Sequence, residues 1–150
     1  MRRHLLALTL LASLPLEAQA DRAFCEGLRG LVQAAQSDFD WLPRMGHNIP
    51  GSLEERRGMI QSQDGPVHGA YFATMFRHDA APAETRQRFA ALEREVAGCL
   101  PDASALGTQQ GQGAAMTRWQ TPYAVIGLRR VDGGRELEQS RIELSVMRRW

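Results

Sequence analysis

Lysine is missing from this sequence, and every one of its 18 basic residues is arginine. That absence removes Schiff-base lysines, the phosphate-loop lysine and Ser-Lys dyads from consideration. An all-Arg complement can by itself reflect genomic base composition. Cysteine is scarce as well: Cys25 and Cys99 stand far apart, so no C-x-x-C redox or metal pair can be written. The apolar run from Leu5 to Leu16 stops well short of the roughly 20 residues that a membrane span needs. Fourteen Gly without a triplet period exclude a collagen-like chain.

What remains is 150 residues, 43% hydrophobic and 23% charged, which fits one globular domain. Residues 1–20 read as a secretory signal peptide. Arg2 and Arg3 open it, the apolar run follows, and Glu17-Ala18-Gln19-Ala20 carries the small-x-small spacing that places cleavage before Asp21. No Cys sits there to take a lipid, so the expected product is a periplasmic or secreted domain, residues 21–150, with no integral membrane segment after cleavage. Losing Arg2, Arg3 and Glu17 leaves equal numbers of basic and acidic groups. A neutral exported chain is a poor partner for nucleic acid or an anionic membrane. The arginines between Arg129 and Arg149 lie among Asp132, Glu136, Glu138 and Glu143 and read as a solvated strand face. An even cysteine count in an exported chain predicts a Cys25–Cys99 disulfide.

Helical spacing of Cys25, Leu28, Val32, Ala35 and Phe39 predicts a helix over 21–39, and residues 40–51, with two Pro and two Gly, predict a loop. Ser52 and Glu55 make a capping box with Gly58 as a C-terminal cap, which suggests a short helical turn. A strand is expected over 59–63, a turn at Asp64-Gly65-Pro66, and a second strand over 68–78. That strand has Tyr71 and Met75 on one side and Phe72 and Phe76 on the other. Pro82 starts a helix that runs through Phe89, Leu92, Val96 and Cys99. Residues 101–116, rich in Gly, Gln and Ala, read as a mobile loop. Strands follow over 123–131 and around Ile142, Leu144 and Val146. With Gly133-Gly134 as a two-residue turn, Val125 faces Ile142 and Arg129 faces Glu138. The expected fold is α+β, with two helices on one face of a four-stranded, mostly antiparallel sheet in the order αββαββ. The disulfide is bridged most easily if the helices run antiparallel.

Sites with chemistry are few. His47, His68 and His78 form no metal pattern, and no cofactor motif is present. Gly51-Ser52 lacks the second Gly of a nucleophile elbow. Glu54, Glu55 and Asp64 can be read as a carboxylate pair for glycoside cleavage or as capping charge. Trp41, Arg44, Met45 and His47 cluster in the Pro-bounded loop with a composition used for recognition, or with Trp and Met folded over the core edge. Trp150 allows the same two readings. In the register above, Ile126 and Leu128 fall on the sheet face away from the helices, with Arg141, Glu143 and Phe72 or Tyr71 nearby, as a contact patch or as a face covered by residues 101–116 or 40–57.

Cys25 with Leu28 and Phe39, Pro50-Gly51-Ser52, Tyr71, and Phe89 to Cys99 ahead of Leu100-Pro101 together resemble a pattern in small exported proteobacterial proteins of unassigned function. This chain resembles a two-cysteine variant, lacking the extra cysteine pair often found in the middle strands, where Gly58 and Ala73 fall. The resemblance implies no catalytic residue. The expected function is binding rather than catalysis: an inhibitor, immunity-type or envelope-assembly factor that meets a protein partner or a second copy. The alternatives are an envelope-acting hydrolase using Glu54, Asp64 or His47, and a structural envelope component.

Overall fold

The computed structural model of the protein describes residues 21–43, 46–61, 65–133 and 139–149. Among them the chain forms α1 (Arg22–Ala34), β1 (Glu54–Gln61), β2 (Val67–His78), α2 (Pro82–Cys99), β3 (Ser104–Gly111), β4 (Ala114–Gln120), β5 (Ala124–Val131) and β6 (Ser140–Arg148). The strands make one antiparallel sheet in the order β1-β2-β6-β5-β4-β3. The fold is α+β, but the sheet has six strands where four were expected. Neither helix is long and apolar enough to cross a membrane.

Residues 101–116, expected to be a loop, supply β3 and the start of β4, the two additional strands. β3 lies at the sheet edge with every residue exposed, so nothing requires its side chains to alternate. β4 does alternate: Ala115, Thr117 and Trp119 are buried, but Thr and Arg in the run hide the pattern. A second correction falls on Ser52–Gly58. From Glu54 onward the segment is the start of β1, and the Glu55 carboxylate takes the backbone N–H groups of Asn48 and Ile49 in the preceding loop and caps no helix.

α1 begins at Asp21, whose side chain accepts from Ala23 N at 3.0 Å. It ends earlier than its apolar spacing suggests. A 3-10 turn covers Ala35–Ser37, and Asp38 and Phe39 then take left-handed backbone (φ 52° and 65°). Phe39 still reaches the core, 1% exposed. α2 starts at Pro82, as expected, and buries Thr85, Phe89, Val96 and Cys99.

The Cys25–Cys99 disulfide is formed. It does not make the helices antiparallel. Asp21 N donates to Glu95 and Arg29 Nε to the Cys99 carbonyl, so contacts advance along both helices in the same sense. A disulfide fixes one point on each helix and leaves their relative direction to packing. α2 lies over β5 and β6 and reaches β4 through a hydrogen bond from Thr117 to Glu93. α1 lies beside α2 with its other flank against the 48–50 loop, where a Cβ on Gly27 would stand 2.4 Å from the Asn48 carbonyl.

The β5–β6 register differs from expectation in a way that reverses a face. Val125 pairs with Met147 and Ile126 with Val146. The expected two-residue turn is replaced by a connection from Val131 to Ser140, and the resulting shift is an odd number of residues. Residues 134–138, including Arg135 and Glu138, lie outside the described residues. Ile126 and Leu128 therefore face the helices and are fully buried, packed with Leu144 and Val146. They form core, not contact surface. In β2 a bulge between Thr74 and Phe76 resets the alternation, so Tyr71 and Phe76 are both buried on the helix side while Phe72 faces out.

Replacing both cysteines (Cys25→Ser with Cys99→Ser) opens a loop of 74 residues and lowers unfolding free energy by about 4 kcal/mol in the chain-entropy model, read from urea midpoints. Ile126→Glu places an unpaired carboxylate in the core and costs several kcal/mol, read as a collapse of the thermal midpoint.

Candidate functional site

The polar residues of the 38–53 loop converge on Glu55. Its carboxylate accepts from Asn48 N (2.7 Å), Ile49 N (2.8 Å), Ser52 Oγ (2.7 Å) and the Tyr71 hydroxyl, while Asn48 Nδ2 donates to Tyr71 Oη at 2.8 Å. Arg57, one strand position pair away, donates to the carbonyls of Phe39, Leu42 and Pro43. Asp38 accepts from Gly69 N and Arg148, and a Cβ on Gly69 would stand 2.7 Å from Asp38 Cα, so only glycine permits this approach. Two groups of opposite charge on β1 thus hold the loop against the strand from both of its ends.

Burial opposes the Glu55 charge, but the donors from Tyr71, Asn48, Ile49 and Ser52 outweigh it and hold the carboxyl below its ordinary value. Burial, together with the Glu55 carboxylate, pushes Tyr71 up to about 12. The Gly69 backbone N–H is the largest influence on Asp38, which Arg148 also helps to hold below 3.8.

This cluster does not have the geometry of a hydrolytic triad. His47 Nδ1 lies 2.6 Å from Ser52 Oγ, and Ser52 gives its proton to Glu55. The hydroxyl therefore sits between imidazole and carboxylate, whereas nucleophile activation needs the imidazole in the middle. With the proton directed to Glu55, His47 Nδ1 is a donor and cannot act as base toward Ser52. Glu54 is on the other face of β1, paired with Arg77 at 2.9 Å. Asp64 lies outside the described residues. Glu54 and His47 are therefore not brought together, and the central carboxylate is Glu55. Among the described residues no group of His, Cys, Asp and Glu could hold a metal ion.

Of the loop's contact candidates, Trp41 projects into solvent (59% exposed) and His47 is exposed while bonded to Ser52. Arg44 and Trp150 lie outside the described residues.

The larger feature is the face of the sheet away from the helices. Cross-strand register places Arg56, Phe72, Ser145, Gly127 and Arg118 in one row across it. The next row on one side is Glu54, Thr74, Glu143, Arg129 and Met116, and on the other Gly58, Ala70, Met147, Val125 and Gln120. Phe72, Met116, Val125 and Met147 are half-buried, and no described element is layered over them. Arg56 stacks over Phe72 (4.0 Å to the ring centroid) and pairs with Glu143 (3.1 Å). Arg141 and Glu143 are on this face as expected, and of the two alternatives Phe72 and Tyr71 it is Phe72 that lies here. Val125, Met116 and Met147 stand where Ile126 and Leu128 had been placed, a substitution that could be read only with the true β5–β6 register.

Compared with known proteins, the chain matches no family model, no curated protein and no solved structure.

The Glu55–Tyr71 pair gives the fold two pH limits. The Glu55 contribution is complete above about pH 4.5 and is lost as pH falls through its lowered folded value. The Tyr71 contribution is complete below pH 10 and is lost as pH rises toward about 12. Urea midpoints across pH should fall at both ends. Glu55→Gln should cost roughly 1–3 kcal/mol at neutral pH and flatten the acid limb; an unchanged acid limb would remove Glu55 as its cause.

Proposed function

We propose that this chain is an exported, non-enzymatic binding protein, of the inhibitor, immunity-type or envelope-assembly kind, and that its contact surface is the outer face of the sheet. The observation that carries the reading is that face itself: half-buried Phe72, Met116, Val125 and Met147 interleaved with arginines, with no layer above them. Interfaces are enriched in aromatic residues, Met and Arg, and sheets that bury one face on helices commonly use the other for water or a partner. Export is supported by the residue pattern of 1–20 and by the disulfide, which persists in oxidising compartments. The resemblance to small exported proteobacterial proteins points the same way.

The test is affinity capture from an envelope extract, comparing the native chain with a Phe72→Glu/Met147→Glu variant of unchanged thermal midpoint. A polypeptide retained by the native chain and lost from the variant is the expected result. Turnover of a cell-wall substrate that Glu54→Gln or His47→Ala abolishes in a folded protein would contradict it.

A further inference from the structure

The chain as a whole is close to neutral, with 18 basic and 17 acidic residues, yet charge is not evenly distributed over the fold. Among the described residues of the strands, the outer sheet face carries Arg56, Arg77, Arg118, Arg129 and Arg141 against Glu54 and Glu143. Both glutamates are engaged, Glu54 with Arg77 and Glu143 with Arg56. Arg118, Arg129 and Arg141 pair with no described acid. Arg141 stands directly across from Arg77, a like-charge pair that costs stability in the isolated sheet. Arg118 Nε is buried with no hydrogen-bond partner, and its row neighbours are Gly127 and Ser145, which offer no carboxylate.

Resting on the reading of this face as a contact surface, the geometry points to its partner: an acidic protein surface, with carboxylates that meet Arg118, Arg129 and Arg141 and apolar side chains that meet Met147, Val125 and Phe72. Guanidinium groups favour planar, two-pronged pairing with carboxylates, and an exposed strand pair presents Arg129 and Arg141 from neighbouring strands toward the same partner. The apolar residues distinguish this partner from other polyanions. A continuous phosphate backbone would meet Glu54 and Glu143 unfavourably and would leave Met147 and Val125 uncovered. A lipid surface needs protruding apolar side chains, whereas Phe72, Val125 and Met147 are half-buried and Phe72 lies under Arg56.

The experiment uses a fluorescein-labelled peptide of Asp-Phe-Glu-Ala repeats, with a Lys-Phe-Lys-Ala peptide, heparin and phosphatidylglycerol vesicles as competitors. The native chain should bind the acidic peptide, with affinity falling about tenfold between roughly 50 and 300 mM salt. Arg118→Glu/Arg129→Glu/Arg141→Glu should weaken binding about tenfold or more. If that triple variant fails to fold, the exposed pair Arg129→Gln/Arg141→Gln should still weaken it. No binding at low salt, equal binding by the arginine variants, or tighter binding of heparin or vesicles would overturn the proposal. A captured protein that depends on Phe72 and Met147 but not on these arginines would leave the contact surface standing and remove the acidic partner.

Discussion

Two helices cannot cover both faces of a six-stranded sheet. With strands about 4.8 Å apart, six of them span about 24 Å from first to last, and two helices side by side cover about 20 Å. The disulfide between the first turn of α1 and the last residue of α2 joins the helices into one layer on one side. Much of the structure follows from that limit. β2, β6, β5 and β4 have a helix-side face buried by Tyr71, Leu144, Ile126 and Trp119. β3 extends beyond the layer and is exposed along its whole length. β1 is covered on the helix side by the 38–53 loop, which Glu55 and Arg57 hold in place.

The same limit decides what the polar cluster around Glu55 does. A loop laid across an edge strand brings backbone N–H and carbonyl groups under cover, and each needs a partner. Glu55 supplies acceptors to Asn48 and Ile49, and Arg57 supplies donors to the carbonyls of Phe39, Leu42 and Pro43. In the cleft between this loop and β1, about 470 Å³, Asn48, Glu55 and Tyr71 are bonded to one another, Asp38 and Arg57 are bonded elsewhere in the fold, and Asp40 and Met59 also line the wall. These contacts hold the loop on β1, and among the described residues the sheet's other face carries no comparable cover.

Several parts of this arrangement were legible in the sequence because local chemistry determines them. Pro82 and the spacing of Phe89, Val96 and Cys99 define α2, and an even cysteine count points to the bridge. β3 was not legible, since an edge strand that buries nothing has no period to read. Ser52 and Glu55 carry the residue types of a helix cap but satisfy a loop instead, a choice made by the Asn48 and Ile49 backbone. The outer face was expected, yet its residues were misassigned. Gly133-Gly134 suggests the shortest turn, and an odd shift in one register exchanges Ile126 and Leu128 for Val125 and Arg129. Charge segregation is invisible in a balanced composition until the register is known.

In the isolated protein no described element covers this outer face. Arginine-selective labelling with phenylglyoxal, resolved by peptide mass spectrometry, tests it directly. Arg129 and Arg141 on the outer face are exposed, whereas Arg130, 15% exposed at its side chain, packs over Phe89 and beside Asp132, and Arg57 is bound to three carbonyls. In the folded chain Arg129 and Arg141 should be modified rapidly, and Arg57 and Arg130 slowly. Protection of Arg129 and Arg141 to the level of Arg130 would contradict this and show that the chain covers this face itself.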